Sequence, residues 1–143
     1  MKNTESLKEL WLEYLEAYQT MSIATRSQKG LDNSSVYFAF ERDGAIVFAS
    51  EATTGKVDNL RDNGEFCATM NDGGTSPRGV KMRGRAVELK GDDAAKANSL
   101  LVKRIPAVKP FLNRPNIAYF RLEPSKRYLI NFAWGVDWRV EVQ

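Results

Sequence analysis

Residues 45–64 read AIVFASEATTGKVDNLRDNG, and this stretch decides most of the fold. Its first six residues form an apolar run that is typical of a buried strand. Hydroxyl side chains and Gly55 follow, and the apolar spacing after them predicts a short helix over residues 54–63. Gly64 ends this helix, because glycine readily adopts the left-handed conformation found after a helix C-terminus. The stretch therefore predicts a strand that enters a helix through a hydroxyl-rich turn.

The start of this helix has the parts of an anion-binding site. Hydroxyl donors are available from Ser50, Thr53 and Thr54. Gly55 allows close approach of a ligand to the backbone, and Lys56 adds a full positive charge beside the free N–H groups of a helix N-terminus. The Gly-to-Gly-Lys spacing of a Walker loop is missing. The residues alone leave two interpretations open, which are a phosphate cradle and an ordinary helix start with a solvated lysine.

Short strands and turns lie on both sides of this stretch. The predicted strands cover residues 21–26, 35–41, 45–50, 65–71, 79–89, 117–122 and 127–132, with loops at residues 28–33 and 71–77. An Asp-Gly pair at residues 43–44 supplies the positive φ of a tight hairpin. Apolar residues change face near the end of the strand at 79–89, which indicates a β-bulge in it. Six or seven strands with three helices at their edges predict a small antiparallel barrel, an α+β fold.

Two of these helices have an amphipathic pattern. The first carries an apolar stripe from Leu7 to Tyr18, and Ser6 with Glu9 forms a plausible capping box at its start. The second runs to Ile105, where a proline follows, and Asp92 is its predicted N-cap. Apolar stripes of this kind favour packing on a core over contact with a cofactor.

The composition fits one domain that spans residues 1–143, with 43% hydrophobic and 27% charged residues. The absence of histidine excludes histidine general bases, catalytic triads and histidine metal ligands. With Cys67 as the single cysteine, no metal site is predicted, and a heme would need Cys67, a Met or a Tyr as axial ligand. A net charge of +3 does not by itself distinguish between small anions and nucleic acid.

The sequence also bears on location. No apolar run reaches the roughly 18 residues that a membrane helix needs. The first residues are typical of a polar helix start and lack the basic end and apolar middle of a signal peptide. Cys67 has no partner for an internal disulfide. We therefore expect a cytoplasmic protein without a membrane partner.

The order and spacing of these segments resemble the pyridoxamine 5'-phosphate oxidase-like flavin-binding split barrels. The matching segments are MSIATR at residues 21–26, VYFAF at 36–40, KVDNLRDN at 56–63, EFCAT at 65–69 and MRGRAVE at 82–88. The helical segment fits the pattern Lys-x-x-Asn-Leu-Arg-x-Asn of these proteins. The resemblance covers roughly residues 17–132. It implies an α+β fold, a small antiparallel split β-barrel with peripheral helices.

The resemblance also implies a cofactor, which is FMN in a groove shared by the two subunits of a homodimer. FAD and a deazaflavin are alternative cofactors. The implied cofactor-binding residues are Val36, Tyr37, Phe38, Ser50, Thr53, Thr54, Gly55, Lys56, Arg78, Lys81, Arg83 and Trp134. Of these, Ser50, Thr54 and Lys56 would surround the phosphate, and the backbone of residues 36–38 would lie beside the flavin ring. Trp134 could stack on that ring or belong to the packing of the protein.

The implied activity is that of an FMN-dependent oxidoreductase. Such an enzyme transfers hydride or electrons from a nicotinamide donor, NADH or NADPH, to a small acceptor. No catalytic residue is identified, although Tyr37 is a conceivable proton donor. One alternative is a non-catalytic protein that binds, stores or senses a flavin nucleotide. A barrel that binds nucleic acid through Lys81, Arg83 and Arg85 is a third possibility, and we do not expect it.

Departures from the family pattern argue against oxidation of pyridoxamine phosphate itself. Gly55 stands where many flavin binders have Arg or Ser, so one charged contact is lost. Gly79 stands near the position of a glutamine that contacts the ring in the true oxidases. The substrate-binding arginines of their C-terminal segment have no counterpart after Arg139. We expect an enzyme other than pyridoxamine phosphate oxidase.

Overall fold

The computed structural model describes residues 4–71 and 78–143. The helices among these residues are α1 (Thr4–Glu16), α2 (Gly55–Asp62), α3 (Gly91–Arg104) and α4 (Lys109–Leu112), with 3-10 segments at Pro106–Val108 and Phe132–Asp137. The strands are β1 (Thr20–Ser27), β2 (Gly30–Phe40), β3 (Ile46–Glu51), β4 (Glu65–Asn71), β5 (Arg78–Leu89), β6 (Ile117–Asn131) and β7 (Arg139–Glu141). No helix in these two stretches has the length and apolar character that a membrane crossing requires.

The strands form one antiparallel sheet that closes on itself. Their order is β3-β2-β1-β4-β5-β6-β7, and β3 also pairs with β6. This extra pairing closes β1 to β6 into a six-stranded barrel, while β7 extends the sheet beside β6. The predicted fold, an α+β split β-barrel with peripheral helices, is confirmed.

The interior of the barrel is the main hydrophobic core. Strand residues alternate between the two faces of a sheet, and the inward set is apolar. The largest fully buried side chains on the strands include Ile23, Phe38, Phe48, Met82, Phe120 and Leu129. Phe48 and Phe120 face each other across the β3–β6 pairing, with their ring centroids 5.4 Å apart. Trp11 and Leu15 bring the apolar stripe of α1 into the same core.

A second, smaller core covers the outside of the barrel at β2 and β3. Outward side chains of the sheet, Ala39, Val47 and Leu89, pack against α3 and the segment after it. The helical side contributes Ala97, Leu101, Ile105, Val108 and Leu112. This outer layer is important for the site because Leu101, Val108 and Leu112 also line a cleft at the start of α2.

The structure differs from the sequence prediction along two strands. Gly30 to Asn33 belong to β2 because each pairs with a residue of β1, which leaves only Gln28 and Lys29 as the turn. The two strands predicted at 117–122 and 127–132 are one long strand, β6. β6 pairs with β5 from Tyr119 to Asn131 and contains one extra residue, Ser125, opposite the step between Arg83 and Gly84.

The bulge is therefore in β6, and the prediction of a bulge in β5 was wrong. The change of face near the end of β5 has a different cause. Leu89 is buried on the outer side by the second core, while Val87 is 38% exposed. Two helix starts also differ, because Ser6 lies inside α1, and α3 begins at Gly91 with Lys90 as its N-cap. The loop predicted at 71–77 lies outside the described residues from residue 72 onward.

Candidate functional site

The position of α2 is fixed by a buried amide. Asn59 is 5% exposed, and its Nδ2 donates a hydrogen bond to Thr25 Oγ1 at 3.1 Å, while its Oδ1 accepts one from Ser27 Oγ at 2.6 Å. Leu60, the next residue, packs into the barrel core. The helix is therefore held on β1 by both polar and apolar contacts, and its first turn is fixed next to the end of β3.

Lys56 lies at this junction and is almost entirely buried. Its side chain is 7% exposed, and its Nζ donates a hydrogen bond to Ser50 Oγ at 2.7 Å. Thr54 Oγ1 is 3.5 Å from the same Nζ and 3.2 Å from Ser50 Oγ. The three groups form a compact cluster of one ammonium and two hydroxyls. We call it the Lys56 cluster.

Thr54 is the residue before the first turn of α2, but its side chain does not cap the helix. Its hydroxyl donates instead to the carbonyl of Glu51 at 2.9 Å. The first-turn N–H groups of α2 thus donate no hydrogen bond to the side chain of their N-cap residue. A helix start of this kind is favourable for an anion, because its N–H groups carry partial positive charge.

Two carboxylates influence the charge on Lys56. Burial lowers the pKa of Lys56, because desolvation disfavours the ammonium form. Asp32 on β2 and Glu51 on β3 raise that pKa in part by their negative charge. Glu51 also forms an ion pair at 2.7 Å with Arg114, which precedes β6. The ammonium therefore lies between an apolar environment and two acidic groups.

The Lys56 cluster lines a cleft of about 430 Å³. Strands β2 and β3 line one side of the cleft with residues that include Ser35, Val36, Tyr37 and Ala49. The opposite wall is apolar and consists of Leu101, Ala107, Val108, Phe111 and Leu112. We call this cavity the Lys56 cleft. Its volume lies within the range of roughly 300 to 1,000 Å³ that is usual for small-molecule sites.

Five of the residues predicted for the cofactor line this cleft. They are Val36, Tyr37, Ser50, Thr54 and Lys56. Phe38 does not line it, because its side chain is fully buried in the barrel core. Thr53 and Gly55 are exposed and also lie outside the lining, although both are adjacent to Thr54.

The remaining predicted residues lie elsewhere in the chain. Lys81 and Arg83 line a separate concavity of about 650 Å³ on the outside of β1, β4 and β5, together with Cys67. The Arg78 guanidinium lies over the ring of Tyr14, 5.3 Å from its centroid. Trp134 is partly buried against the main core. Within one chain, these four residues do not meet the Lys56 cluster.

The apolar wall of the cleft was not predicted from the sequence. Leu101 lies in the second amphipathic helix, whose apolar stripe was interpreted as core packing. Val108, Phe111 and Leu112 lie in the connector that follows this helix at residues 106–116, which contains three prolines. A sequence signal exists, since apolar residues are frequent in this proline-rich connector, but it does not indicate which surface they cover. Glu51 was also missed as a lining residue, although it directly follows Ser50.

The sequence of the chain matches one known protein family. The sequence profile of pyridoxamine 5'-phosphate oxidase matches residues 7–131. No curated protein sequence is significantly similar to the chain.

Three solved structures illustrate the likeness in fold. A heme binding protein from Mycobacterium smegmatis has a TM-score of 0.80 and 16% identity over 99% of this chain and 58% of its own. A NimC/NimA family protein from Clostridium acetobutylicum has a TM-score of 0.73 and 12% identity over 94% and 90% of the two chains. The heme storage protein HutZ from Vibrio cholerae has a TM-score of 0.68 and 17% identity over 87% and 92%. At these identities the likeness concerns the fold alone.

Proposed function

Because the chain belongs to the pyridoxamine 5'-phosphate oxidase family, we propose that it binds FMN in the Lys56 cleft and acts as an FMN-dependent oxidoreductase. One observation carries this proposal. The buried ammonium of Lys56 is hydrogen-bonded to Ser50 in a cleft that also has a wall of apolar residues from α3, α4 and the segment between them. A ligand with a phosphate at one end and a flat apolar ring at the other matches this division of polarity.

The donor set of the Lys56 cluster fits a phosphate. The ammonium of Lys56 supplies charge-assisted hydrogen bonds, and the hydroxyls of Ser50 and Thr54 are free to rotate toward a stronger acceptor than the Glu51 carbonyl. FAD and a deazaflavin carry phosphate groups as well and remain alternative ligands. All three ligands contain a flavin or deazaflavin ring and a phosphate.

Bound FMN would supply hydride transfer from a nicotinamide donor to a small acceptor. The chain itself would contribute binding and orientation. Lys56, Ser50 and Thr54 would anchor the phosphate away from the reacting ring, and the wall formed by Val108 and Phe111 would keep water from that ring. Tyr37 is 49% exposed and lines the cleft, and its phenol would be the candidate proton donor. A cytoplasmic location, where nicotinamide nucleotides are available, is part of this proposal.

We propose a homodimer in which the second chain completes the cofactor site. Its support is the number of apolar side chains that one chain leaves exposed, among them Leu31, Phe132 and Val136. Lys81, Arg83, Arg78 and Trp134 would then approach the flavin from the other subunit. In such a dimer, these four residues could contact the cofactor as the family resemblance implies, although they lie away from the Lys56 cluster of their own chain.

The second candidate is a flavin-binding protein without catalytic activity. The observation that favours it is the lining of the cleft, where Tyr37, Glu51 and Lys56 are the titratable side chains. Glu51 is paired with Arg114, and Lys56 is assigned to the phosphate. Two proteins with this fold are described as heme-binding or heme storage proteins. Heme fits the present cleft less well, because the chain contains no histidine and Tyr37 is the candidate axial ligand among the lining residues.

The absorption spectrum of the purified protein after addition of FMN distinguishes these candidates. Flavin absorbance that stays with the protein through gel filtration supports FMN binding, whereas a heme band after addition of hemin, with no retained flavin, contradicts it. Loss of the flavin colour on anaerobic addition of NADH or NADPH supports the oxidoreductase. Retained colour with both donors and a range of small acceptors supports the non-catalytic candidate.

A further inference from the structure

We infer that Asp32 is an affinity-tuning residue of the Lys56 cleft, whose carboxylate weakens phosphate binding by repelling the second negative charge of a phosphate monoester. This inference rests on the function proposed above, because it concerns the phosphate of the proposed cofactor. It assigns a role to a residue that lies outside the cleft lining and acts on the ligand through space.

The carboxylate of Asp32 is held next to the first turn of α2. Asp32 pairs with Thr25 in the β1–β2 ladder, and its Oδ2 accepts a hydrogen bond of 2.7 Å from Ser34 Oγ. Its Oδ1 lies 3.6 Å from the point that a β-carbon at Gly55 would occupy. The acidic group therefore faces the helix start from which a phosphate would receive N–H and ammonium contacts.

The charged side chains near the start of α2 leave little net positive charge for a ligand. Lys56 is the one cation among the described residues that line the cleft. Glu51 is compensated by its ion pair with Arg114 at 2.7 Å. Asp32 forms no salt bridge with any Lys or Arg in the described part of the chain. The single positive charge of Lys56 is thus already opposed by one uncompensated carboxylate.

A phosphate monoester such as that of FMN carries a charge of roughly −1.5 to −2 at neutral pH, whereas a phosphodiester carries about −1. Lys56 can neutralise one of these charges. The second charge is repelled by Asp32, because solvent screens like charges only in part at a partly buried site. The same carboxylate favours the ammonium form of Lys56, and a bound phosphate would also favour that form.

Replacement of Asp32 by Asn removes the repulsion and keeps the size of the side chain. We expect D32N to tighten FMN binding by about three- to tenfold at neutral pH, the scale of one like-charge interaction that water screens efficiently. Riboflavin has the same ring system without the phosphate, so its affinity should not change. The gain for FMN should shrink as salt is added, because ions screen a half-exposed charge.

A purely structural role of Asp32 predicts a different result. A carboxylate beside a helix N-terminus stabilises the helix, and its loss would disturb α2 and with it every ligand of the cleft. FMN and riboflavin affinities would then fall together. The exposed Asp58 in the first turn of α2 provides a matched control, since D58N also removes one carboxylate near the helix start but leaves Asp32 on β2 unchanged.

The test is calorimetric titration of FMN and riboflavin into the unaltered protein, D32N and D58N, with Asp32→Ser as a second charge-removing variant should D32N fold poorly. The inference predicts tighter FMN binding in the Asp32 variants, unchanged riboflavin binding, and no effect of D58N. Unchanged or weaker FMN binding in both Asp32 variants overturns it, as does an equal shift for riboflavin. Failure of the unaltered protein to bind FMN at all would overturn the proposed function, and the inference with it.

Discussion

The ammonium of Lys56 lies 2.7 Å from the hydroxyl of Ser50, and this hydrogen bond joins the first turn of α2 to β3. Both side chains are buried, with exposed fractions of 7% and 3%. A buried ammonium requires polar partners, because desolvation without them is costly. The Lys56 cluster is therefore a preformed polar site in an otherwise apolar layer, and the following predictions concern it and the elements that hold it.

Ser50→Ala should weaken FMN binding by about 0.5 to 1.5 kcal/mol, the usual value of one hydrogen bond. The variant leaves Lys56 with Thr54 at 3.5 Å as its remaining hydroxyl neighbour. Riboflavin should bind as before, because it lacks the phosphate. Ser35→Ala, which removes another hydroxyl from the cleft lining, is the control. A loss for FMN that is equal in the two variants would argue against a special role of Ser50.

The affinity for FMN should fall as the pH rises above neutral. Burial lowers the pKa of Lys56, and Asp32 and Glu51 oppose this shift only in part. The ammonium of the free protein is therefore lost at a lower pH than that of an ordinary lysine, and phosphate binding then requires uptake of a proton. Calorimetry across alkaline pH should show this loss, whereas Lys56→Arg should show none because a guanidinium stays charged. An identical pH profile for both proteins would refute the role of Lys56.

Asn59→Ala should destabilise the protein by about 1 to 3 kcal/mol, because it leaves Thr25 and Ser27 without their buried amide partner. Asn33→Ala removes an exposed hydrogen bond to Ser22 and should change the free energy of unfolding by no more than about 0.5 kcal/mol. Denaturant titration measures both changes. Equal small effects would mean that α2 is held by its apolar face alone.

Bound FMN should quench the fluorescence of Trp134 only if a second chain is present. In one chain it packs against the main core and does not line the Lys56 cleft. We expect sedimentation at twice the mass of the 16.1 kDa chain, and a smaller loss of tryptophan fluorescence on FMN binding in Trp134→Phe than in the unaltered protein. Trp11→Phe and Trp138→Phe are the controls. A monomer, or quenching that survives in Trp134→Phe, would limit Trp134 to packing.

Much of the fold follows from local patterns in the sequence. The strand at 65–71, the hairpin at Gly44 and the helix ended by Gly64 are as predicted, because apolar alternation and glycines with positive φ act over a few residues. The predictions were wrong where tertiary pairing overrides a local signal. Residues 30–33 carry a loop composition, but pairing with β1 extends the strand through them.

The candidate site was only partly predictable for a related reason. Ser50, Thr54 and Lys56 are close in sequence, and a strand–turn–helix connection necessarily brings them together. The wall around Phe111 comes from a segment more than fifty residues away, and no local pattern indicates where it packs. The same holds for Lys81 and Arg83, whose strand position was predicted but whose separation from the Lys56 cluster depends on the closure of the barrel.

The most direct test of the account compares FMN and riboflavin binding in the unaltered protein, Lys56→Ala and Lys109→Ala. Lys109 is an exposed lysine on α4, beside the cleft wall but outside the lining, and serves as the matched control. We predict that Lys56→Ala weakens FMN binding by about 1 to 3 kcal/mol, the usual loss of a charge-assisted contact, and leaves riboflavin binding and the Lys109→Ala variant unaffected. FMN affinity that is unchanged in folded Lys56→Ala would contradict the assignment of the phosphate to this cleft.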